Sequence, residues 1–87
     1  MSYSLHVASE ASRILAELPF EVQEDVWDLF DKFAADPGVL GVQPDHAAEV
    51  HEYRQVTQGR TIRVFFAVVI DDRNQRVLVP VLEYTIS

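Results

Sequence analysis

The chain is 87 residues long, carries a formal net charge of −7 and contains no cysteine. With 48% hydrophobic and 24% charged residues, it has the composition of one small globular domain. The lack of cysteine excludes disulfides, catalytic thiols and cysteine-bound zinc. No stretch approaches the ~18 consecutive apolar residues of a membrane span, and no signal-peptide pattern is present. We expect a single domain over residues 1–87, located in the cytoplasm, without a membrane segment or cofactor.

The charge is distributed unevenly along the chain. Residues 1–50 hold ten acidic and two basic residues, or −8, whereas residues 51–87 hold four acidic residues and five arginines, or +1. Binding to a polyanion depends mainly on lysine and arginine. The last third is therefore where a site for phosphate or nucleic acid is expected.

Two helices are predicted in the first half, after a short strand. Residues Tyr3–Val7 alternate apolar and polar side chains, which is typical of a half-buried strand. Ser9 is predicted to cap a helix over Ala11–Glu17, and Pro19 separates it from a second helix that stops at Asp36. The second helix has an apolar stripe formed by Val22, Val26, Leu29, Phe30 and Phe33. These elements predict an antiparallel helical hairpin.

The second half is predicted to be strand-rich. Residues 37–49 contain prolines and glycines without periodicity and are predicted to form a loop, with a helical turn at Asp45–Val50. Strands are predicted at His51–Thr57, Arg60–Ile70 and Arg76–Ile86. Pro80 cannot donate to a β-ladder, so it predicts an unpaired position or a bulge. The order β-α-α-β-β-β indicates an α+β fold, with the helical hairpin packed on one face of an antiparallel sheet.

Two arginines are predicted to lie opposite each other on the outer face of this sheet. Ile62 and alternate residues after it form the face expected against the helices, so Arg63 points away from them. A hairpin that turns symmetrically about Gln58-Gly59 places Arg54 directly across from Arg63. Like charges at opposed positions are unfavourable, which predicts a counter-anion nearby.

The last strand can supply that counter-anion in one of the two registers open to it. A five-residue loop at 71–75 places Glu83 across from Arg63, whereas a four-residue loop places Tyr84 there. The apolar pattern does not choose between the two loops. Two interpretations stay open. Arg54, Arg63 and Glu83 form an exposed row of ion pairs, or the two guanidinium groups form a clamp that binds phosphate oxygens while a nearby carboxylate or phenol transfers protons.

The chain resembles the RelE/ParE toxin superfamily over nearly its whole length. The resemblance is carried by the element order, by the hairpin that ends in Asp36-Pro37, by Tyr53-Arg54, by Arg63-Val64-Phe65-Phe66 and by Ile70-Asp71-Asp72. It implies a toxin held inactive by a cognate antitoxin protein. RelE-type members are implied to be metal-independent endoribonucleases that cut mRNA on the ribosome, and ParE-type members share the fold and act on DNA gyrase.

The resemblance matches Arg63 and Arg54 to basic positions of the family, and the chemistry of RNA cleavage gives hypotheses for the roles of these and neighbouring residues. Arg63 and Arg54 would stabilise charge on the phosphate, Glu83 would act as base and Tyr84 as acid; Glu52 and His51 are alternative bases. Val56 stands where RelE-type nucleases have another basic residue, and residues 83–87 contain none. The alternative is therefore a non-catalytic, ParE-like module that binds a protein target.

Three further features of the sequence bear on partners and metals. No predicted helix covers the outer sheet face that carries Phe65, so we expect an antitoxin tail, a second copy in a homodimer or the C-terminal residues to cover it. Trp27 is expected to close the edge of the core. The second helix has an acidic stripe, interpreted as a solvated face, that consists of Glu21, Glu24, Asp25, Asp28 and Asp31. The carboxylates and histidines that follow the helices fit no metal-binding spacing; they are Asp45, His46, Glu49 and His51.

Overall fold

A computed structural model describes residues 3–36 and 49–87 and shows an α+β fold in the predicted order. The elements are β1 (Ser4–Val7), α1 (Ser9–Leu15), α2 (Phe20–Ala35), β2 (Glu49–Thr57), β3 (Arg60–Asp71), β4 (Arg76–Val79) and β5 (Leu82–Ile86). The strand predicted at residues 76–86 is thus divided in two. Neither helix of the described ranges has the length and apolarity needed to cross a membrane.

The sheet is built around β3, its longest strand. All nine residues of β2 pair with one side of β3, and β5 and β4 pair with its other side. All three strands are antiparallel to β3. β1 pairs with β4 in parallel. The sheet is therefore mixed, because the chain passes through both helices and the β2–β3 hairpin between β1 and β4, a connection long enough for a parallel pair.

The helices begin and end close to the predicted residues, with one correction. Ser9 does not cap α1; Ala8 is the N-cap residue, without a side-chain hydrogen bond. The Ala8 amide donates to the Val79 carbonyl at 3.0 Å, which ties Ala8 to the sheet and lets the helix start at Ser9. Pro19 is the N-cap of α2.

The predicted loop and helical turn lie largely outside the described residues. Residues 37–48 are not described, so the loop stays a prediction there. The helical turn predicted at Asp45–Val50 is wrong at its last two positions, because Glu49 and Val50 belong to β2 and pair with Val68 and Ala67.

The core lies between the helices and the predicted face of β3. The buried side chains come from both helices and from β3, β4 and β5; they include Leu15, Val22, Val26, Phe30, Phe33, Ile62, Val64, Phe66, Val68, Ile70, Val77, Val79 and Leu82. Phe30 and Phe33 present their edges to Phe66, with centroids 5.0 and 6.2 Å away. Trp27 is partly buried against Phe30, at the edge of the core as expected.

A bulge separates β4 from β5. Val69 pairs with Leu78 in β4, and Phe66 pairs with Leu82 in β5. Two residues of β3 therefore stand opposite three residues on the other side, of which Pro80 is one. The predicted irregularity at Pro80 is confirmed, and it shifts the register by one residue.

Candidate functional site: the arginine pair on the outer sheet face

A tight hairpin sets the two arginines opposite each other. Gln58 and Gly59 form its two-residue turn with φ angles of 50° and 73°, and positive φ at both positions is the geometry of a type I′ turn. The turn closes on Thr57 and Arg60, and the ladder then places Arg54 opposite Arg63. The predicted juxtaposition is confirmed. Both arginines are exposed on the sheet face away from the helices.

The counter-anion of Arg63 comes from β2 rather than from the last strand. The Nε of Arg63 donates to Oε1 of Glu52 at 2.5 Å. Glu52 stands opposite Phe65, one diagonal step from Arg63, and the Arg63 guanidinium also lies over the Phe65 ring, 5.0 Å from its centroid. Ion pairing and a cation–π contact together hold this guanidinium flat against the sheet.

The ion pair fixes the protonation state of Glu52. The hydrogen bond from Arg63 lowers the pKa of the Glu52 carboxyl, the small loss of hydration opposes it, and the positive charges of Arg63 and Arg54 lower it further. The same contact raises the pKa of Arg63. Because an effective general base has a pKa near the working pH, Glu52 is a weak base at neutral pH.

Neither residue expected from the last strand faces Arg63. Thr85 does, because the structure has the four-residue loop, closed by Asp71 and Arg76, and the bulge then adds one residue to that register. Glu83 stands opposite Phe65 on the same outer face and is exposed. In residues 3–36 and 49–87 it makes no hydrogen bond or ion pair.

Tyr84 points to the helix side of the sheet. It pairs with Val64, and its hydroxyl donates to Oε1 of Glu17 at 3.1 Å. That hydrogen bond raises the pKa of Tyr84, with smaller contributions from lost hydration and from the Glu17 charge. Of the four predicted catalytic residues, the structure thus brings Arg54, Arg63 and Glu83 to one face and leaves Tyr84 on the other.

His51, an alternative base, also lies on the helix side. Its ring stacks on Phe66 with centroids 5.9 Å apart and meets Phe33 edge to face at 5.1 Å. Within the described residues, the surroundings of Arg63 on the outer face hold carboxylates and guanidinium groups but no imidazole or phenol. The two guanidinium groups can bind a phosphate. Any proton transfer at this site would have to use Glu83, Glu52 or water.

A feature missed from the sequence is that all three phenols donate to carboxylates. Tyr53 donates to Oδ2 of Asp25 in α2 at 2.5 Å, Tyr84 to Glu17, and Tyr3 to Asp72. Loss of hydration, the hydrogen bond to Asp25 and the Asp25 charge raise the pKa of Tyr53 to about 12. One member of the acidic helix stripe is therefore structural. Sequence spacing gave no signal for pairs that lie 28 to 69 residues apart.

Neither a metal centre nor a deep pocket marks the site in the described part of the chain. No three metal-ligating side chains come together there, and Asp45 and His46 lie outside the described residues. A cavity of about 80 Å³ lies beside the arginine pair and is lined by Val50, Phe65, Phe66, Ala67, Val81 and Glu83. This is far below the roughly 300 Å³ of a small-molecule pocket, so a macromolecular surface fits better than a buried ligand.

Three solved structures share this fold at low sequence identity. A double arginine-to-alanine mutant of E. coli toxin RelE in the free state has a TM-score of 0.63 and 16% identity, covering 94% of this chain and 82% of that one. The RelBE2 toxin–antitoxin complex from Mycobacterium tuberculosis gives 0.63 and 20%, covering 98% and 100%. The intact E. coli RelBE complex gives 0.64 and 14%, covering 93% and 94%.

No protein-family profile matches the chain, and no curated protein matches it. The structural likeness covers more than nine-tenths of this chain in each case and shows a RelE-like fold.

Proposed function

We propose that this chain, which has the fold of RelE toxins, is the toxin component of a toxin–antitoxin pair and acts in the cytoplasm. The observation that carries the proposal is the likeness in fold over nearly the full length of the chain. Two of the similar structures are complexes of a toxin with its antitoxin. A cognate antitoxin is therefore the first partner to seek.

The outer sheet face supports a protein partner. In the described part of the chain no helix covers it, and Val50 and Val81 are 72% and 55% exposed beside the partly buried Phe65. An exposed apolar patch rimmed by charged groups is typical of a protein-binding surface. Arg54 and Glu83 provide such a rim here.

The test is complex formation with the product of the adjoining gene. A short neighbouring gene for a DNA-binding protein with a disordered tail is the expected antitoxin, and the two proteins should co-purify in a defined ratio. Its co-expression should also relieve any growth arrest that this chain causes. A neighbour that neither binds this chain nor alters growth contradicts the proposal.

Ribosome-dependent mRNA cleavage is the more specific candidate activity. It is supported by Arg54 and Arg63, which lie opposite each other and can together hold a phosphate once the substrate displaces Glu52 from Arg63. In cleavage by the RNA's own 2′-hydroxyl, this oxygen bonds to phosphorus as the bond to the 5′-oxygen breaks. Glu83 would accept the proton of the 2′-hydroxyl, and water would protonate the leaving oxygen.

A non-catalytic module is the competing candidate, and one observation favours it. Tyr84 and His51 lie on the helix side, so the described residues around Arg63 include no evident acid. Assay of purified protein for mRNA cleavage on ribosomes, with Arg63→Ala alongside, separates the two. Cleavage that falls at least tenfold in the variant supports the nuclease with this site. Equal cleavage by both proteins contradicts the proposed site, and no cleavage by either protein supports the binding module.

A further inference from the structure

The free edge of β2 is a second surface with a specific geometry. β2 runs for nine residues, and each of them pairs with β3 on one side. On its other side no strand pairs with it in residues 3–36 or 49–87. A long unpaired edge is a template for another chain, and soluble proteins commonly shorten or block such edges.

The backbone groups at this edge can be assigned by alternation. Thr61 of β3 exchanges hydrogen bonds with Ser87 at 2.9 and 3.0 Å, so the odd-numbered residues of β3 direct their N–H and C=O groups away from β2. Even-numbered residues of β3 bond to β2, where their partners are odd-numbered, as Arg60 is opposite Thr57. The residues of β2 whose N–H and C=O groups point to the free edge are therefore Val50, Glu52, Arg54 and Val56.

We propose that this edge pairs with the β2 edge of a second copy of the chain, antiparallel and two-fold symmetric about Tyr53. In this register Glu49 of one copy meets Thr57 of the other, so all nine residues are paired. Even-numbered residues face even-numbered ones, so the outward N–H and C=O groups of the two copies meet. The two sheets become one continuous sheet with a closed two-fold interface.

The outer-face side chains of β2 are complementary to themselves in this register. Glu52 of each copy lies opposite Arg54 of the other, which gives two symmetry-related pairs of opposite charge. Val50 lies opposite Val56, and these valines are 72% and 65% exposed in the single chain. A slip of two residues, the smallest that keeps the faces of the two copies matched, places Glu52 opposite Glu52 or Arg54 opposite Arg54, which is unfavourable. The charges therefore specify one register.

The inner-face side chains of β2 fit the same register. His51 of one copy lies opposite Gln55 of the other. Among the described residues, the buried side-chain polar atoms without a hydrogen-bond partner are His51 Nε2 and Gln55 Oε1. Buried polar groups are rarely left unpaired, and a ring N–H and an amide oxygen form a donor and acceptor pair. Oε2 of Glu49 lies 3.9 Å from His51 Nε2, beyond hydrogen-bonding distance. The second copy offers each of the two atoms a complementary partner.

This inference goes beyond the proposed function and does not depend on it. Its test is the oligomeric state of the full chain, by sedimentation, for three proteins: the natural sequence, Arg54→Glu, and the double variant Glu52→Arg/Arg54→Glu. We expect a dimer for the first. Arg54→Glu opposes two pairs of carboxylates and should be monomeric at the same concentration, while the double variant re-forms both pairs and should be dimeric again.

A cysteine cross-link tests the register itself. The chain has no natural cysteine. Opposed residues at a position like Tyr53, which is not hydrogen-bonded across the new edge, have Cα atoms about 4.5 Å apart, within disulfide range. Tyr53→Cys should oxidise to a covalent dimer, whereas Val50→Cys should not, because its symmetry mate lies roughly 20 Å away.

Three outcomes overturn the proposal, provided that circular dichroism shows folded proteins. They are a natural chain that is monomeric at its highest soluble concentration, a dimer that Arg54→Glu leaves intact, and a dimer that Tyr53→Cys fails to cross-link. The last two would place the interface elsewhere and leave the β2 edge to another partner.

Discussion

Single hydrogen bonds from phenols to carboxylates join the helices to the sheet. Tyr53 in β2 holds Asp25 in α2, and Tyr84 in β5 holds Glu17 just after α1. The pKa of Tyr53 is raised mainly by burial and that of Tyr84 mainly by its hydrogen bond, so the folded chain favours both phenols in their neutral form. The acidic first half is thus partly used to bind the β-rich half.

Tyr53→Phe should lower the free energy of unfolding by about 1 kcal/mol at neutral pH, the usual value for one intramolecular hydrogen bond. The pKa of Tyr53 is about 12 in the folded state against its ordinary value of 10.0, so folding favours the protonated phenol. Its contribution is complete below pH 10 and is lost as the pH rises to about 12. Urea unfolding of both proteins across this range should show the difference disappearing; a constant difference contradicts this account.

Asp71 stabilises the turn between β3 and β4, and its contribution changes in the acidic rather than the alkaline pH range. Hydrogen bonds from the side chain of Asn74, then from Arg76, lower the pKa of Asp71 to about 2 from 3.8. A lowered pKa means that folding favours the carboxylate, so the contribution is complete above pH 3.8 and is lost as the pH falls to about 2. Asp71→Ala should therefore be less stable than the natural chain at neutral pH.

Urea unfolding of Asp71→Ala and the natural chain at several pH values measures this. The two stabilities should converge toward pH 2. Arg73→Ala, at an exposed position in the same turn, is the positional control for the pH profile, since it removes no carboxylate and its gap to the natural chain should not follow the Asp71 titration. Parallel stability curves for the natural chain and Asp71→Ala would show that Asp71 does not support the turn.

At the scale of elements, the hairpin of β2 and β3 was predictable and the last strand was not. A two-residue turn at Gln58-Gly59 fixes the whole ladder, so Arg54 opposite Arg63 followed from the sequence. The last strand has valine or leucine on both faces, and apolar alternation cannot locate an extra residue there. The bulge therefore placed Thr85, rather than Glu83 or Tyr84, opposite Arg63. The ion pair between Glu52 and Arg63 could not be predicted, because it is a diagonal side-chain contact that the strand register alone does not determine.

Deleting Val81 tests the bulge. Without this residue the ladder of β4 would continue directly into β5, with Leu82 still opposite Phe66 and Tyr84 still opposite Val64. Because the buried side chains keep their face, we expect a change in unfolding free energy well below the about 2–5 kcal/mol that removal of a large core side chain costs. The control Val81→Ala, at a site 55% exposed, should change stability by under about 0.5 kcal/mol. A deletion that costs about 2–5 kcal/mol, as if Leu82 had left the core, would contradict the assigned bulge.

At the scale of the whole molecule, one aromatic cluster connects the layers. Phe66 is 1% exposed and contacts Phe30, Phe33 and His51. Phe66→Ala should cost about 3–5 kcal/mol, a large part of the ~4–13 kcal/mol expected for a domain of this length. Phe20→Ala is the matched control, since Phe20 is 72% exposed and its removal should cost under about 0.5 kcal/mol. Thermal unfolding compares them; similar losses would show that the core is misassigned.

The charges separate by layer as well as by sequence. The acidic stripe lies on α2, while Arg54 and Arg63 lie on the sheet face away from the helices. A chain with net charge −7 can therefore present a local cationic pair to an anionic target. This arrangement, on a RelE-like fold, is what a toxin acting through its outer sheet face requires.

Growth after induced expression tests this claim most directly, with the natural chain compared with Arg54→Ala/Arg63→Ala and with Arg73→Ala, an exposed arginine in the turn after β3. The account predicts arrest by the natural chain and by Arg73→Ala, and normal growth with the double variant at equal amounts of folded protein. Normal growth with the natural chain, or equal arrest by all three, would contradict it.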